Sequence, residues 1–306
     1  MKASIVMAAH NAAEFIHYAI ASVSAQTEQD FELIIIDDGS TDDTARVVRD
    51  SASEDSRIHL LHHDVAHGPA AARNTGLERA KGDWIAILDS DDAFAPDRLE
   101  RMIFEAEQRN LDLLADNLQL IEFESGRQDG LAFPQAWMTT PAPIDLSWIV
   151  DREQPGQVRP LNFGFAKPII RRAFLQDRGL RYAEDIRSGE DLLLYGECLA
   201  GGAKFGVMPD ALYTYRIRRN SVSRPKSASR YLVSVHERLS EMAAASEDLA
   251  LVQTLRRQCR ELRYEVFSHS WKSGKLADAI QAARQLPVAY IFQRFGAAAR
   301  RRLKGA

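Results

Sequence analysis

Three carboxylates, Asp89, Asp91 and Asp92, fall within four residues directly after the apolar run 84–88. Carboxylates so crowded repel one another unless a cation compensates. Hard divalent ions such as Mg2+ and Mn2+ prefer oxygen ligands and keep coordination positions open for substrate phosphates. A divalent metal is therefore expected at this turn. The plainer alternative is a turn with helix-capping aspartates, since Asp is common in both places. A second acidic pair, Glu190-Asp191, follows Ser188-Gly189. Acids there complement the dipole of a first helical turn, and a carboxylate within reach of a hydroxyl can also act as a general base. A third pair, Asp37-Asp38, opens the turn Asp37-Asp38-Gly39-Ser40. Guanidinium groups that could contact substrate phosphates come from Arg73 and the cluster Arg216, Arg218 and Arg219. That cluster also reads as a merely solvated basic loop.

The elements that must position these residues alternate at a regular cadence. Strands are expected at 4–7, 31–36, 58–62 and 84–88, with helices at 12–25, 41–49, 70–80 and 97–110. Asn11 is expected to cap the first helix. The run 31–36 is apolar except for Glu32, the pattern of a strand covered on both faces. Strand and helix in alternation give an α/β fold: a Rossmann-like, mostly parallel central sheet flanked by helices. Ligands of such sheets bind at the carboxyl ends of the strands, where all the acidic turns fall. Residues 132–160 carry five prolines with Trp137 and Trp148, which predicts a long loop or lid. A helix from 188 to about 200 and a short strand at 211–217 follow. From 228 onward the pattern is helical, a C-terminal extension of the sheet domain.

Composition narrows the function. The chain has 306 residues, 45% hydrophobic and 27% charged, as in a soluble globular protein. The formal net charge of −4 argues against nucleic acid as a partner. Two cysteines, Cys198 and Cys259, make no disulfide framework and fit buried thiols in a reducing, cytoplasmic setting. No apolar run approaches the ~20 residues of a membrane span. The apolar start is read as the first strand rather than a signal segment, because His10, Asn11 and Glu14 interrupt it.

Three motifs in this order, Asp37-Asp38-Gly39-Ser40-Thr41-Asp42, Gly68-Pro69-Ala70-Ala71-Ala72-Arg73-Asn74 and Asp89-Ser90-Asp91-Asp92, resemble glycosyltransferase family 2, the inverting enzymes of the GT-A fold. The likeness is strongest over 1–110. It continues through Gly189-Glu190-Asp191 and the stretch Tyr215 to Ser223. Asn162-Phe163-Gly164-Phe165-Ala166-Lys167-Pro168 resembles the subset that builds bacterial exopolysaccharides of the succinoglycan type. The resemblance implies a catalytic domain over 1–227, with a donor half (1–110) and an acceptor and base half (111–227), and a helical extension over 228–306. It implies that Asp38 accepts the imide N–H of a uracil base, that Ala8 and His10 lie against the nucleotide, and that Arg73 faces the diphosphate. Asp89 and Ser90 would meet the ribose or donor sugar, and Asp91, with Asp89, the metal. Asp92 and Asp37 would order their turns. Asp191 would be the base and Glu190 its organiser. Arg216 and Arg218 would fold over the diphosphate and exclude water. The sequence departs from the family at Ala8-Ala9-His10-Asn11, which lacks the usual Tyr, at Ala66, where Asn is common, and at Arg218, where His is common.

The implied reaction moves a hexose, with glucose the first to test, from a UDP-sugar to a hydroxyl of a lipid-linked saccharide, inverting the anomeric carbon. Two other classes compete: a nucleotide-sugar or carbohydrate binding protein without turnover, and a metal-dependent nucleotidyltransferase. The second would show a glycine-rich loop after the first strand, and this chain has none there. Residues after Asp278 include six Lys or Arg and no acid, beside the stripe Val288, Ile291, Phe292 and Phe295. This fits peripheral contact with the inner membrane or a helix packed on the core. The helical run 234–263 is expected to pack on the catalytic domain or on a second copy of it.

Overall fold

The first strand and its neighbour are apolar on both faces, and both are buried almost throughout. In the computed structural model, which describes residues 1–155, 161–218 and 229–294, β1 (Ala3–Ala9) is followed by α1 (Ile16–Ser24), β2 (Phe31–Asp38), α2 (Thr44–Glu54), β3 (Ile58–His63), α3 (Pro69–Arg79) and β4 (Trp84–Ile87). These four strands are parallel, in the order β3-β2-β1-β4. Glu32, the one charge in β2 before the terminal Asp37-Asp38 pair, is buried, and its Oε1 accepts the Ser4 hydroxyl at 2.6 Å and the Lys81 N–H at 2.7 Å. A buried carboxylate is tolerable when its hydrogen bonds are met.

The start of β4 is pressed against the start of β1. Gly82 donates its N–H to the Ser4 hydroxyl at 2.8 Å. A Cβ at Gly82 would lie 2.4 Å from the Ala3 carbonyl carbon and the Ser4 nitrogen. At the other end the Leu88 N–H reaches the Val6 carbonyl at 3.1 Å, just before the acidic turn.

Beyond β4 the sheet is mixed. The elements are β5 (Ala93–Phe94), α4 (Arg98–Gln108), β6 (Leu113–Glu122), β7 (Gln128–Leu131), α5 (Gln135–Met138), α6 (Leu146–Val150), a 3-10 turn (Phe163–Phe165), β8 (Ile169–Arg171), α7 (Arg172–Arg178), α8 (Glu190–Ala200) and β9 (Phe205–Ile217). The sheet continues β4-β8-β6-β9-β5, with β7 on the side of β6. β8 is antiparallel to β4 and β6, while β6 and β9 are parallel.

Several local expectations change. Asn11 does not cap α1, which begins at Ile16. It has a positive φ of 49°, and its Oδ1 accepts the Thr41 N–H at 2.9 Å, tying the β2–α2 turn to the end of β1. Asn tolerates that backbone region better than most residues. The stretch expected as a lid is largely packed: Ala132, Phe133, Met138, Ile144, Ile149 and Val150 are buried, and it holds two short helices. Its last residues, 156–160, lie outside the described residues. The short strand at 211–217 is the end of the 13-residue β9.

The chain divides into two compact units, Met1–Ser221 and Val222–Ala306. In the second, α9 (Ser229–Ala245), α10 (Leu249–Lys272) and α11 (Leu276–Arg284) follow in order. Asp248 caps α10 through the Leu251 N–H at 2.9 Å. Phe267, Ala279, Ala282 and Leu286 form a small core with Tyr264, Tyr290 and Ile291 against it. Ile291 thus packs inward, whereas Val288 and Phe292 are exposed. Phe295, Arg300, Arg301, Arg302 and Lys304 lie outside the described residues. Among the described residues no helix is long and apolar enough to cross a membrane. Both cysteines are free and buried.

Candidate active site

The carboxyl ends of β2 and β4 carry two of the three acidic features, as the parallel topology requires, and the third opens α8. At the end of β2, Asp38 is buried. Its Oδ1 accepts the His67 N–H at 2.9 Å and faces His63 Nδ1 at 2.8 Å, and its Oδ2 accepts the Gly68 N–H at 2.7 Å. Burial pushes the Asp38 pKa up, but these hydrogen bonds outweigh it and hold the carboxyl below its ordinary value. The other ring nitrogen of His63 lies 3.0 Å from the Thr75 hydroxyl on α3. His10 Nδ1 lies 2.7 Å from the Asp38 carbonyl oxygen, and Ala8 is half-buried in register with Ile36. Asp37 accepts the Ser40 N–H at 3.2 Å within the turn.

After β4, the turn closes through the Asp92 N–H on the Asp89 carbonyl at 3.0 Å. Asp92 is buried and accepts the Tyr213 hydroxyl at 2.7 Å and the Arg216 N–H at 2.8 Å. Burial first, then the charges of Asp91 and Asp89, push its pKa well up. Asp92 therefore orders the turn and anchors the end of β9. Asp91 is about one-fifth exposed and receives Arg218 Nη2 at 2.6 Å and Nε at 2.8 Å. Burial and then the charge of Asp89 raise its pKa, with Arg218 opposing. The Arg218 guanidinium lies 4.2 Å over the Phe15 ring, and that of Arg216 4.8 Å over Tyr18. Ser90 is half-buried between these acids. Arg219 and the motif that runs to Ser223 lie outside the described residues.

The largest departure from expectation is at Arg73 and Asp89. Arg73, expected at the diphosphate, is buried and spends its guanidinium on carboxylates. Nη2 donates to Asp89 Oδ1 at 2.8 Å, and Nη1 to Glu190 Oε1 at 2.8 Å with a longer 3.4 Å contact to Asp191 Oδ1. Asp89, expected at the metal with Asp91, also receives Lys167 Nζ on Oδ2 at 3.1 Å. Both of its oxygens are therefore held. Burial alone would raise the Asp89 pKa; the charges of Lys167 and Arg73 instead drive it far below the carboxylate range. Lys167 also donates to Asp191 Oδ2 at 2.7 Å. Burial favours a neutral lysine, but the charges of Asp191 and Asp89 hold its pKa above the ordinary value.

Glu190 and Asp191 form the first turn of α8, entered through Gly189 at a positive φ of 87°. A side chain at 189 would be strained in that conformation. Asn74 locks α3 to the segment before α8: its Oδ1 accepts the Tyr182 N–H at 2.9 Å and its Nδ2 donates to the Tyr182 carbonyl at 2.9 Å.

The acidic cluster was expected to need a metal as its counter-charge. The counter-charge here comes from Arg73, Lys167 and Arg218. Among the described residues, no group of three or more His, Cys, Asp or Glu is arranged to hold a metal ion. The donor set still fits one protein ligand of a hard ion: Asp91 is partly exposed, anionic charge on it is costly, and it already attracts a cation. One carboxylate with the remaining positions left to substrate phosphates is a common arrangement for Mg2+.

Lys167 had no assigned role from sequence, although one signal was there. It is the single charge in the stretch 161–170, and an isolated charge in an apolar run needs a buried partner. Tyr213, His63 and Thr75 were missed as well; nothing in their spacing points to the contacts Tyr213 and His63 make with Asp92 and Asp38, or to that of Thr75 with His63.

Comparison with known proteins shows the family and the fold. The sequence profile of Glycosyl transferase family 2 matches residues 4–141. The succinoglycan biosynthesis protein ExoO of Rhizobium meliloti (strain 1021) is 38% identical over 227 residues, covering 72% of this chain and 62% of that protein. ExoU of the same organism is 39% identical over 225 residues, covering 72% and 63%. The chain belongs to glycosyl transferase family 2. As a family 2 chain it spans less than two thirds of the length of these two relatives. Among solved structures, an S. aureus TarS fragment in complex with UDP superposes with a TM-score of 0.68 at 22% identity, covering 92% of this chain and 81% of that one. A mannosyltransferase from Pyrobaculum calidifontis in complex with GDP-Man and Mn2+ gives 0.56 at 16% identity, covering 97% and 80%. The family 2 chain thus has the GT-A glycosyltransferase fold, a sheet flanked by helices with further helices at the C-terminal end.

Proposed function

We propose that the protein is an inverting glycosyltransferase that moves a hexose from a UDP-sugar to a hydroxyl of a saccharide acceptor in exopolysaccharide or other surface-glycan synthesis. One observation carries the reading: the Arg73 guanidinium touches Asp89 of the donor turn and Glu190 and Asp191 of the base turn at once. A donor held at the first and a hydroxyl held at the second lie within reach of each other, which single displacement requires. The succinoglycan relatives support the surface-glycan setting. TarS structures with UDP and with UDP-GlcNAc support a uridine donor.

In this reading Asp38, fixed by two backbone N–H groups and His63, accepts the imide N–H of uracil, and His10 and Ala8 border the base. Asp191 takes the proton of the acceptor hydroxyl while that oxygen bonds to the anomeric carbon. The bond from that carbon to the diphosphate oxygen breaks, and its electron pair leaves with the diphosphate. Asp191 Oδ1, whose Arg73 contact is long, is the oxygen free to take the proton. Glu190 holds Arg73 in place. Arg216 and Arg218 lie beside the turn, and Arg218 exchanges Asp91 for the leaving diphosphate. A divalent ion, Mn2+ or Mg2+, bound at Asp91 would offset charge on that diphosphate. Ser90 and Asp89 meet the donor sugar or ribose. The catalytic domain is the part up to about residue 227, with the lipid-linked acceptor bound by its second half, and the helical remainder contacts the cytoplasmic face of the membrane or a partner such as a second copy.

The test is a donor panel, UDP-glucose first, with divalent ion added or chelated and nucleotide release monitored with and without acceptor. Release that depends on acceptor supports transfer. Asp91→Ala is expected to abolish the metal-dependent part of UDP-sugar binding; binding that ignores both the substitution and the chelator rejects Asp91 as a ligand.

A further inference from the structure

Lys167 is built into its position independently of the residues it serves. Its own carbonyl accepts Arg98 Nη2 at 2.5 Å, and Arg98 is in turn clamped by both oxygens of the fully buried Asp116 at 2.8 and 3.1 Å. The carbonyl just before it, that of Ala166, accepts the Tyr195 hydroxyl at 2.7 Å. Pro168 follows, with its fixed φ, and then β8 pairs with β4 and β6. The backbone that carries the ammonium is thus held from α4, α8 and the sheet.

From that seat the side chain, 5% exposed, reaches two carboxylates of different segments, Asp191 Oδ2 at 2.7 Å and Asp89 Oδ2 at 3.1 Å. We infer that Lys167 is a positioning residue for the transfer step, pinning Asp191 through Oδ2 so that Oδ1 faces the acceptor hydroxyl, and fixing the distance from that base to the donor turn. The inference rests on the glycosyltransfer reading above. It adds a residue to which composition and spacing gave no role.

Charge balance supports the arrangement. Asp89, Glu190 and Asp191 bring three negative charges to the two positive charges of Arg73 and Lys167. The cluster has one negative charge in excess, and the arrival of one proton on Asp191 makes it neutral. Without Lys167, Asp89 and Asp191 share Arg73 alone and repel. Asp191 is then free to rotate, and a misplacement of about 1 Å at the reacting atoms costs on the order of 10²-fold in rate.

The experiment compares Lys167→Met, Lys167→Arg and Asp191→Asn with the wild type in the acceptor-dependent assay, with UDP binding by calorimetry and folding by thermal unfolding. Lys167→Met is expected to lower kcat about 10²-fold, with the donor KM and UDP affinity within about threefold. Lys167→Arg, which restores a cation able to meet both carboxylates, is expected to recover part of that loss. A kcat for Lys167→Met within about threefold of wild type overturns the proposal. So does a loss confined to KM, or an arginine variant as slow as the methionine one. Should the methionine variant not fold, the arginine variant decides: reduced kcat at unchanged KM supports the role, and raised KM at unchanged kcat overturns it. Failure of the underlying reading looks different. There the wild type transfers from no UDP-sugar, or Asp191→Asn turns over normally, whatever Lys167 does.

Discussion

The two ends of the site hold their carboxylates in opposite ways. Asp38 is held by two backbone N–H groups and a histidine ring, from the end of β3 and the loop that follows it. Asp89, Glu190 and Asp191 are surrounded by full cations that come from α3 and from the segment before β8. Backbone N–H groups fix a carboxylate without cancelling its charge, which suits an acceptor waiting for one N–H of a ligand. Ion pairs across segments tie distant parts of the chain together, and breaking one partner leaves a buried charge. The first end is built to recognise and the second to hold geometry.

Substitutions can break this contrast. The largest effect is expected from Asp191→Asn: acceptor-dependent nucleotide release falls by roughly 10²–10⁴-fold, the usual worth of a general base, while UDP binding measured by calorimetry is unchanged. Arg73→Met comes next. It strips one of two cations from three carboxylates and is expected to cost about 3–5 kcal/mol of stability in denaturant unfolding; a cost under about 1 kcal/mol would deny Arg73 its holding role. At the recognising end, Asp38→Asn removes one charge-assisted hydrogen bond, worth about 1.5–3 kcal/mol. UDP affinity is expected to drop accordingly, roughly 10- to 100-fold, with the unfolding midpoint moving far less than for Arg73→Met. A reversal of that order would erase the distinction between the two ends.

A separate test concerns a carboxylate outside both ends. Glu153 is buried and accepts the Gly164 N–H at 2.6 Å. Burial outweighs the backbone hydrogen bonds and pushes its pKa up to about 8. The folded state therefore keeps a proton that the unfolded chain has already lost. Stability from this group is full below the ordinary glutamate range and is lost as pH rises to about 8. The slope approaches about 1.4 kcal/mol per pH unit. Glu153→Gln is expected to flatten that decline in unfolding experiments across this window.

The same contrast explains what could be read in the sequence. Asp38, Gly68 and the acidic turn belong to short strand–turn–helix units, where apolar runs and turn residues signal their place locally. The four parallel strands and their helices were legible for that reason. β6, β7 and β8 were not: β6 mixes polar residues such as Asp116 and Asn117 into its run, and Asp116 is buried only because Arg98 arrives from α4. Lys167 was hidden by the same cause. Its partners sit 78 and 24 residues away, and no local period records a pairing of that kind. Asp89 was assigned to a metal because its compensating cations could not be seen from its neighbours in the chain.

The contact at Gly82 reaches further than its location suggests. β4 has no slack at its beginning, since even one carbon at position 82 would collide with the backbone of β1. The strand can slide along β1 only by giving up that packing. A slip of a single residue, about 3.4 Å, would carry Asp89 and Asp91 away from Arg73 and Arg218 together. The alignment of the reacting groups is thus determined at the opposite ends of the strands, where there is no chemistry.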